Sequence, residues 1–259
     1  MNAETPKAAE LNLPQAFLLL ATNDQDGTPD VPVYALRTTL AGAILAELEL
    51  IGAIGLQGKR VKATGTAPQT DFQRELELIR GKSRPHTPKR WVSMLEGRAE
   101  VQRVYEGMAA LGIVEHVGEK HLGVFRSVRY PEKDHEPEAA LLKTIRAALG
   151  GAHDAGTSDS TAADATAAVG GAPDAKGPDA GTPAPAPATP DAKAPAATPP
   201  DTRTAALIAL LQAAGLLGKL VPAADKIRAS ELAKDYWPAR AVEDELRMIR
   251  LAEEEEPGL

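Results

Sequence analysis

Apolar residues recur along this chain mostly at the three- and four-residue spacing of helices. From about Leu36 they form a row of Leu36, Leu40, Ile44, Leu45, Leu48 and Ile51, and Gly52 stands just beyond as a stop. Residues 70–80 (TDFQRELELIR) repeat the pattern, with Phe72, Leu76 and Ile79 inward and Thr70 or Asp71 placed to cap the start. Pro88 begins another helix, with Trp91, Val92 and Leu95 on one face. A further one covers 98–111 and stops at Gly112. Residues 136–149 return to helix, and two more lie in DKIRASELAKDYWPARAVEDELRMIRLA. The stretch RTAALIALLQAAGLLGKLVP is apolar on nearly every side, as a helix buried in a larger core would be. Leu11, Leu13 and Phe17–Leu20 suggest a short helix or strand at the start, and NDQDGTPD at 23–30 is a turn-rich loop.

Two stretches break this rhythm. AIGLQGKRVKATG at 53–65 alternates as a small strand pair does, and residues 112–131 place two β-favouring runs around Gly118-Glu119-Lys120. The predicted fold class is therefore mainly α: a single globular helical domain with one or two small β-hairpins.

Composition interrupts that domain. Residues 151–200 hold 17 Ala, 9 Pro and 6 Gly but no Leu, Ile, Phe, Tyr or Trp. Such a segment buries too little apolar surface to offset its ordering entropy, so 150–202 is expected to be a disordered Ala/Pro-rich insertion. The apolar helix beyond it needs partners that the insertion lacks. Residues 203–252 are thus expected to pack back on 10–149, with 253–259 left as an acidic tail. Closing a flexible loop of some 50 residues is tolerable because the entropic cost grows only logarithmically with length.

Charge narrows the function. The net charge of −7 comes from the insertion (2 Lys+Arg against 6 Asp+Glu) and from residues 201–259 (8 against 11), whereas residues 1–150 balance at 19 against 19. A winged helix is an alternative for a helix followed by a hairpin. Its reading helix should carry clustered cations, and residues 98–111 hold only Arg98 and Arg103, so no nucleic-acid partner is expected. Any anion site must be a local basic pocket.

Catalytic chemistry has no counterpart in the motifs. GAIGLQGKR at 52–60 misses both the P-loop and the dinucleotide spacing and follows a helix rather than a strand. His86, His116, His121 and His135 lack the helical spacing of a zinc site, although His116 and His121 could face one another across the hairpin. Glu47 and Glu49, two apart, point to different faces. No enzyme activity, metal site or cofactor is expected. The start lacks a basic region before its apolar stretch, no segment reads as a membrane span, and there is no Cys, so a cytoplasmic location is expected.

The order of segments carries a resemblance. LNLPQAFLLLATNDQDG, TLAGAILAELELIGAIGL, TAPQTDFQRELELI…WVSMLEG, GIVEHV…GVFRSVRYP and RTAALIALLQAAGLLGKLVP follow one another as in the Golgi phosphoprotein 3 family. The chain resembles a bacterial-type member with an Ala/Pro-rich insertion, over residues 10–149 and 202–252. The resemblance implies a non-enzymatic peripheral membrane adaptor. Family members recognise the phosphatidylinositol 4-phosphate headgroup, hold protein clients and use the hairpin for self-association. It also implies a lipid pocket in which this chain keeps Arg98 and Arg103. The family's Trp falls near Pro32, an early helix Arg at Ala41 and another Arg at Val101. Arg37, one turn before Ala41, and Tyr34 are the expected substitutes, so the expected headgroup pocket is Arg37, Arg98, Arg103 and Tyr34. The expected oligomerisation hairpin is Val114, His116, Leu122, Val124 and Phe125. The alternative function is a protein-interaction scaffold without lipid binding.

Overall fold

Asn12 starts the first helix with a reciprocal cap. Its side chain accepts the Gln15 amide at 3.0 Å, and the Gln15 side chain accepts the Asn12 amide at 3.1 Å. Two donors that a helix start would leave orphaned are satisfied in this way. The computed structural model of the chain describes residues 11–65, 68–121, 124–150 and 201–255. Among them are ten helices and two antiparallel two-stranded hairpins, so the fold is mainly α as the periodicity predicts. The expected insertion lies almost wholly outside the described residues.

Helix α1 (Leu13–Leu20) is buried along its whole length and packs on α2 (Val33–Leu50). Helix α2 starts three residues before the apolar row, at Val33, with Pro32 as its non-helical cap residue at φ −53° and ψ 144°. It is the central element, meeting α1, α4 (Pro88–Leu95), α5 (Arg98–Ala110), α7 (Thr202–Ala213) and α10 (Trp237–Glu255). Residues from every side of it are buried, from Ala35 and Leu36 to Glu47 and Leu48. Gly42 permits the closest of these approaches: a Cβ there would stand 2.1 Å from Cγ2 of Val242 on α10.

The hairpin β1 (Ile54–Gln57) and β2 (Arg60–Ala63) turns at Gly58-Lys59, and α3 (Gln73–Arg80) follows. The expected cap of α3 is absent. Phe72 occupies the cap position, Thr70 Oγ1 accepts the Phe72 amide at 3.3 Å, and Asp71 instead accepts from Asn12 Nδ2 at 3.1 Å. Helix α4 has its Pro at the first turn and Thr87 as cap, and it buries Trp91, Val92 and Leu95. Strands β3 (Val117–His121) and β4 (Val124–Arg129) form the second hairpin. Its turn falls after His121, so Gly118-Glu119-Lys120 belong to a strand rather than the turn. His121 is paired with Val124 and not with His116.

Helix α6 (Glu136–Ala148) completes the first part. Helix α7 buries residues on nearly all sides among α1, α2 and α10, and α8 (Leu217–Leu220) and α9 (Lys226–Ala233) lead into α10. Helix α10 runs through Glu255, so Glu253–Glu255 are helical rather than a separate tail. All described residues belong to one compact unit. Among them no helix is long and apolar enough to cross a membrane.

Candidate anion-binding site

Helices α2 and α5 diverge at their first turns and leave a cavity of about 260 Å³. Helix α2 contributes Val33, Leu36 and Arg37. Helix α5 contributes Arg98, Val101, Gln102 and Tyr105, at the spacing that puts side chains on one helical face. Gly27 and Pro29 of the α1–α2 loop and Val128 and Tyr130 close the other side. The loop is pressed hard against this segment. Gly27 sits at φ +66°, and a Cβ on it would lie 2.3 Å from the Pro131 nitrogen, so only glycine is accommodated.

The aromatic wall is rigid. Tyr105 and Tyr130 stack with centroids 4.3 Å apart and planes 2° from parallel. Tyr105 shares a 2.7 Å hydrogen bond with Thr22 Oγ1, and burial pushes its hydroxyl up to about 12. The Tyr130 hydroxyl is buried without a hydrogen-bond partner.

No carboxylate lines the cavity. Among the described residues neither Arg37 nor Arg98 forms an ion pair. Glu96 is an acidic neighbour of Arg37. It accepts from Thr38 Oγ1 at 2.8 Å, and burial raises its carboxyl above the usual range despite that bond and the Arg37 charge. Two guanidiniums without an anionic partner, over an apolar floor, suit a bidentate phosphate or carboxylate ligand. A larger open depression of about 740 Å³ between α9 and α10 offers no such imbalance. Lys226, Lys234 and Arg240 there face Glu231, Asp235 and Glu243.

A family model described as Golgi phosphoprotein 3 (GPP34) matches residues 13–249. The chain belongs to this family. A comparison with curated proteins returned no match.

In this Golgi phosphoprotein 3 family member, two of the four expected pocket residues meet. Arg37 and Arg98 line the cavity, but Arg103 does not. Five residues beyond Arg98, at 100° each, it points about 140° away on the helix. Its Nη2 lies 2.6 Å from Oε1 of Glu75, which is 2% exposed. Tyr34 is partly buried against the core and is not a cavity residue. Ala41 is fully buried, so the α2 residue that reaches the cavity is Arg37 itself. Val101 does line it, from the apolar side.

The expected hairpin contacts separate as well. Val114 is 3% exposed and forms a bridge with Glu132, so it is core and not an association surface. His116 is exposed, with its ring 5.2 Å from that of Tyr130. Leu122 lies outside the described residues. Val124 and Phe125 contribute backbone pairing to His121 and Lys120.

Two clusters escaped sequence reasoning. Arg203, in the first turn of α7, donates to Glu47 Oε2 at 2.6 Å and to Oε1 at 2.9 Å, while the Leu13 amide donates to Oε2 at 2.7 Å. Asp24, Glu132, His135 and Glu138 form the other. Burial, then the charges of Asp24 and Glu132, pushes the Glu138 carboxyl up to about 8. Only the Glu132, His135 and Glu138 spacing is visible in sequence; Asp24 arrives from the distant loop.

Proposed function

We propose that this chain is a non-enzymatic peripheral membrane adaptor of the Golgi phosphoprotein 3 type. In this proposal the cavity between α2 and α5 takes the phosphate of an anionic phosphoinositide headgroup, of the phosphatidylinositol 4-phosphate kind. Arg37 and Arg98 hold the phosphate oxygens, and Gln102 is a further donor on the wall. The observation that carries this reading is the pairing of two uncompensated arginines in one cavity without a carboxylate. Arg103 and Tyr34 are left out of the ligand set, since one is held by Glu75 and the other packs on the core. Val33 and Val128, 53% and 41% exposed beside the arginines, would face the lipid surface at the mouth.

Flotation with three kinds of vesicle tests this: neutral, phosphatidylserine-containing, and phosphoinositide-containing at equal charge. The expected result is selective recovery with the phosphoinositide and its loss in Arg98→Ala. Equal recovery with all three, or full recovery of Arg98→Ala, would overturn the proposal.

A further inference from the structure

Three segments converge beside the cavity: the α1–α2 loop and the chain after β4, which also contribute to its wall, and the first turn of α6. The backbone fixes their meeting. Glu132 donates its amide to the Asp24 carbonyl at 3.1 Å, and Lys133 donates to Ile113 at 2.8 Å. Asp24, Glu132 and His135 each offer one ligand atom, and these atoms all lie within 4.8 Å of one another.

Apart from His135, paired with Glu132, the arrangement has no counter-charge. Among the described residues no Lys or Arg pairs with Asp24, Glu132 or Glu138. The Glu132 side chain is only 3% exposed. Its Oε2 meets His135 Nδ1, but Oε1 is buried with no hydrogen-bond partner. A buried carboxylate oxygen without a donor is costly, and a surface acidic cluster without function would turn its oxygens to water instead. Bound cations commonly supply what such a site lacks.

We propose that Asp24, Glu132 and His135 form a divalent-cation site that clasps the α1–α2 loop to the start of α6. Two carboxylates with one imidazole favour Mn²⁺ or Zn²⁺ over Ca²⁺ or Mg²⁺, which take oxygen ligands almost alone. With metal–ligand bonds of about 2.1 Å, two ligands stand at most about 4.2 Å apart. Closing the 4.8 Å span therefore asks for movements below about 1 Å, within reach of the exposed Asp24 and His135 side chains. The imidazole, 69% exposed, can release Glu132 and turn a nitrogen to the ion. Because Gly27 and Pro29 of the same loop wall the arginine cavity, the ion would also hold that wall in place.

The test is calorimetric titration of the full, untagged chain, stripped with EDTA, with Mn²⁺ and separately with Zn²⁺, Ca²⁺ and Mg²⁺. Mn²⁺ enhancement of water proton relaxation is the second readout. One saturable site for Mn²⁺ or Zn²⁺ is expected, weaker for Ca²⁺ and Mg²⁺. Glu132→Gln and Asp24→Asn should each lose affinity about tenfold or more, and Glu136→Gln, outside the cluster, should keep it. Asp24 is exposed, so Asp24→Asn leaves the core intact and is the deciding variant if Glu132→Gln fails to fold. No saturable binding, or unchanged binding in Asp24→Asn, would overturn the site. Vesicle recovery plays no part in this test, so the site stands or falls separately from headgroup binding.

Discussion

Arg203 and the Arg37–Arg98 pair show two uses of the same side chain. Arg203 is committed: both its terminal nitrogens grip Glu47, which is 5% exposed and takes a third bond from the Leu13 amide. Arg37 and Arg98 face a cavity with no carboxylate on its wall. A guanidinium that neutralises a buried acid holds the protein together, and removing it strands a charge. One with no internal partner contributes little to folding and keeps its hydrogen-bonding capacity for something outside. Arg103, paired with buried Glu75, belongs with Arg203 even though it sits on the same helix as Arg98.

That division is broken most directly at Arg203. Arg203→Ala should lower stability by about 3 kcal/mol, because Glu47 would keep only the Leu13 amide. A fall in the urea midpoint at unchanged slope measures it. Arg103→Ala should lose about 2 kcal/mol by leaving Glu75 unpaired, yet float with phosphoinositide vesicles as the unmodified chain does. A loss of vesicle binding at unchanged stability would put Arg103 back in the pocket. Arg98→Ala should do the reverse, moving stability by no more than ~0.5 kcal/mol while reducing phosphoinositide recovery about tenfold.

The smallest expected effect concerns pH. Burial raises the Glu96 carboxyl, and the nearby Arg37 lowers it by less. As pH falls through that raised value, Glu96 becomes neutral and stops attenuating Arg37, so anion binding should tighten on acidification by less than about threefold. Glu96→Gln should bind like the acidified protein at every pH. Vesicle recovery of the two proteins between pH 7 and 5 compares them with the headgroup's own titration cancelled. A parallel response in both would show that Glu96 has no influence on the pocket.

Legibility in the sequence follows the range of the interaction. Helix α4 is readable because Pro88 and the Trp91, Val92, Leu95 face lie within eight residues. The burial of α7 is readable because nearly every position is apolar. The cap of α3 is not, because Asp71 turns to Asn12, 59 positions away. Arg203 and Glu47 are 156 positions apart, and nothing local to either marks the other. Half of the expected arginine pocket meets in the fold; Arg103, expected there from the resemblance, is turned about 140° from Arg98 by the five helical positions between them. The hairpin turn is hidden because the Gly118-Glu119-Lys120 turn signal sits within a strand that pairs up to His121.

The Glu47–Arg203 grip has a topological consequence. It joins the first helices to the last ones by contact, in parallel with the covalent path between them. Together with the α7 and α10 packing on α2, it is expected to hold the two parts together even when the peptide is cut between 150 and 201. A chain cut in that interval would persist as a noncovalent complex of two fragments. Genetically, this is a protein that could be encoded as two polypeptides and assembled in trans.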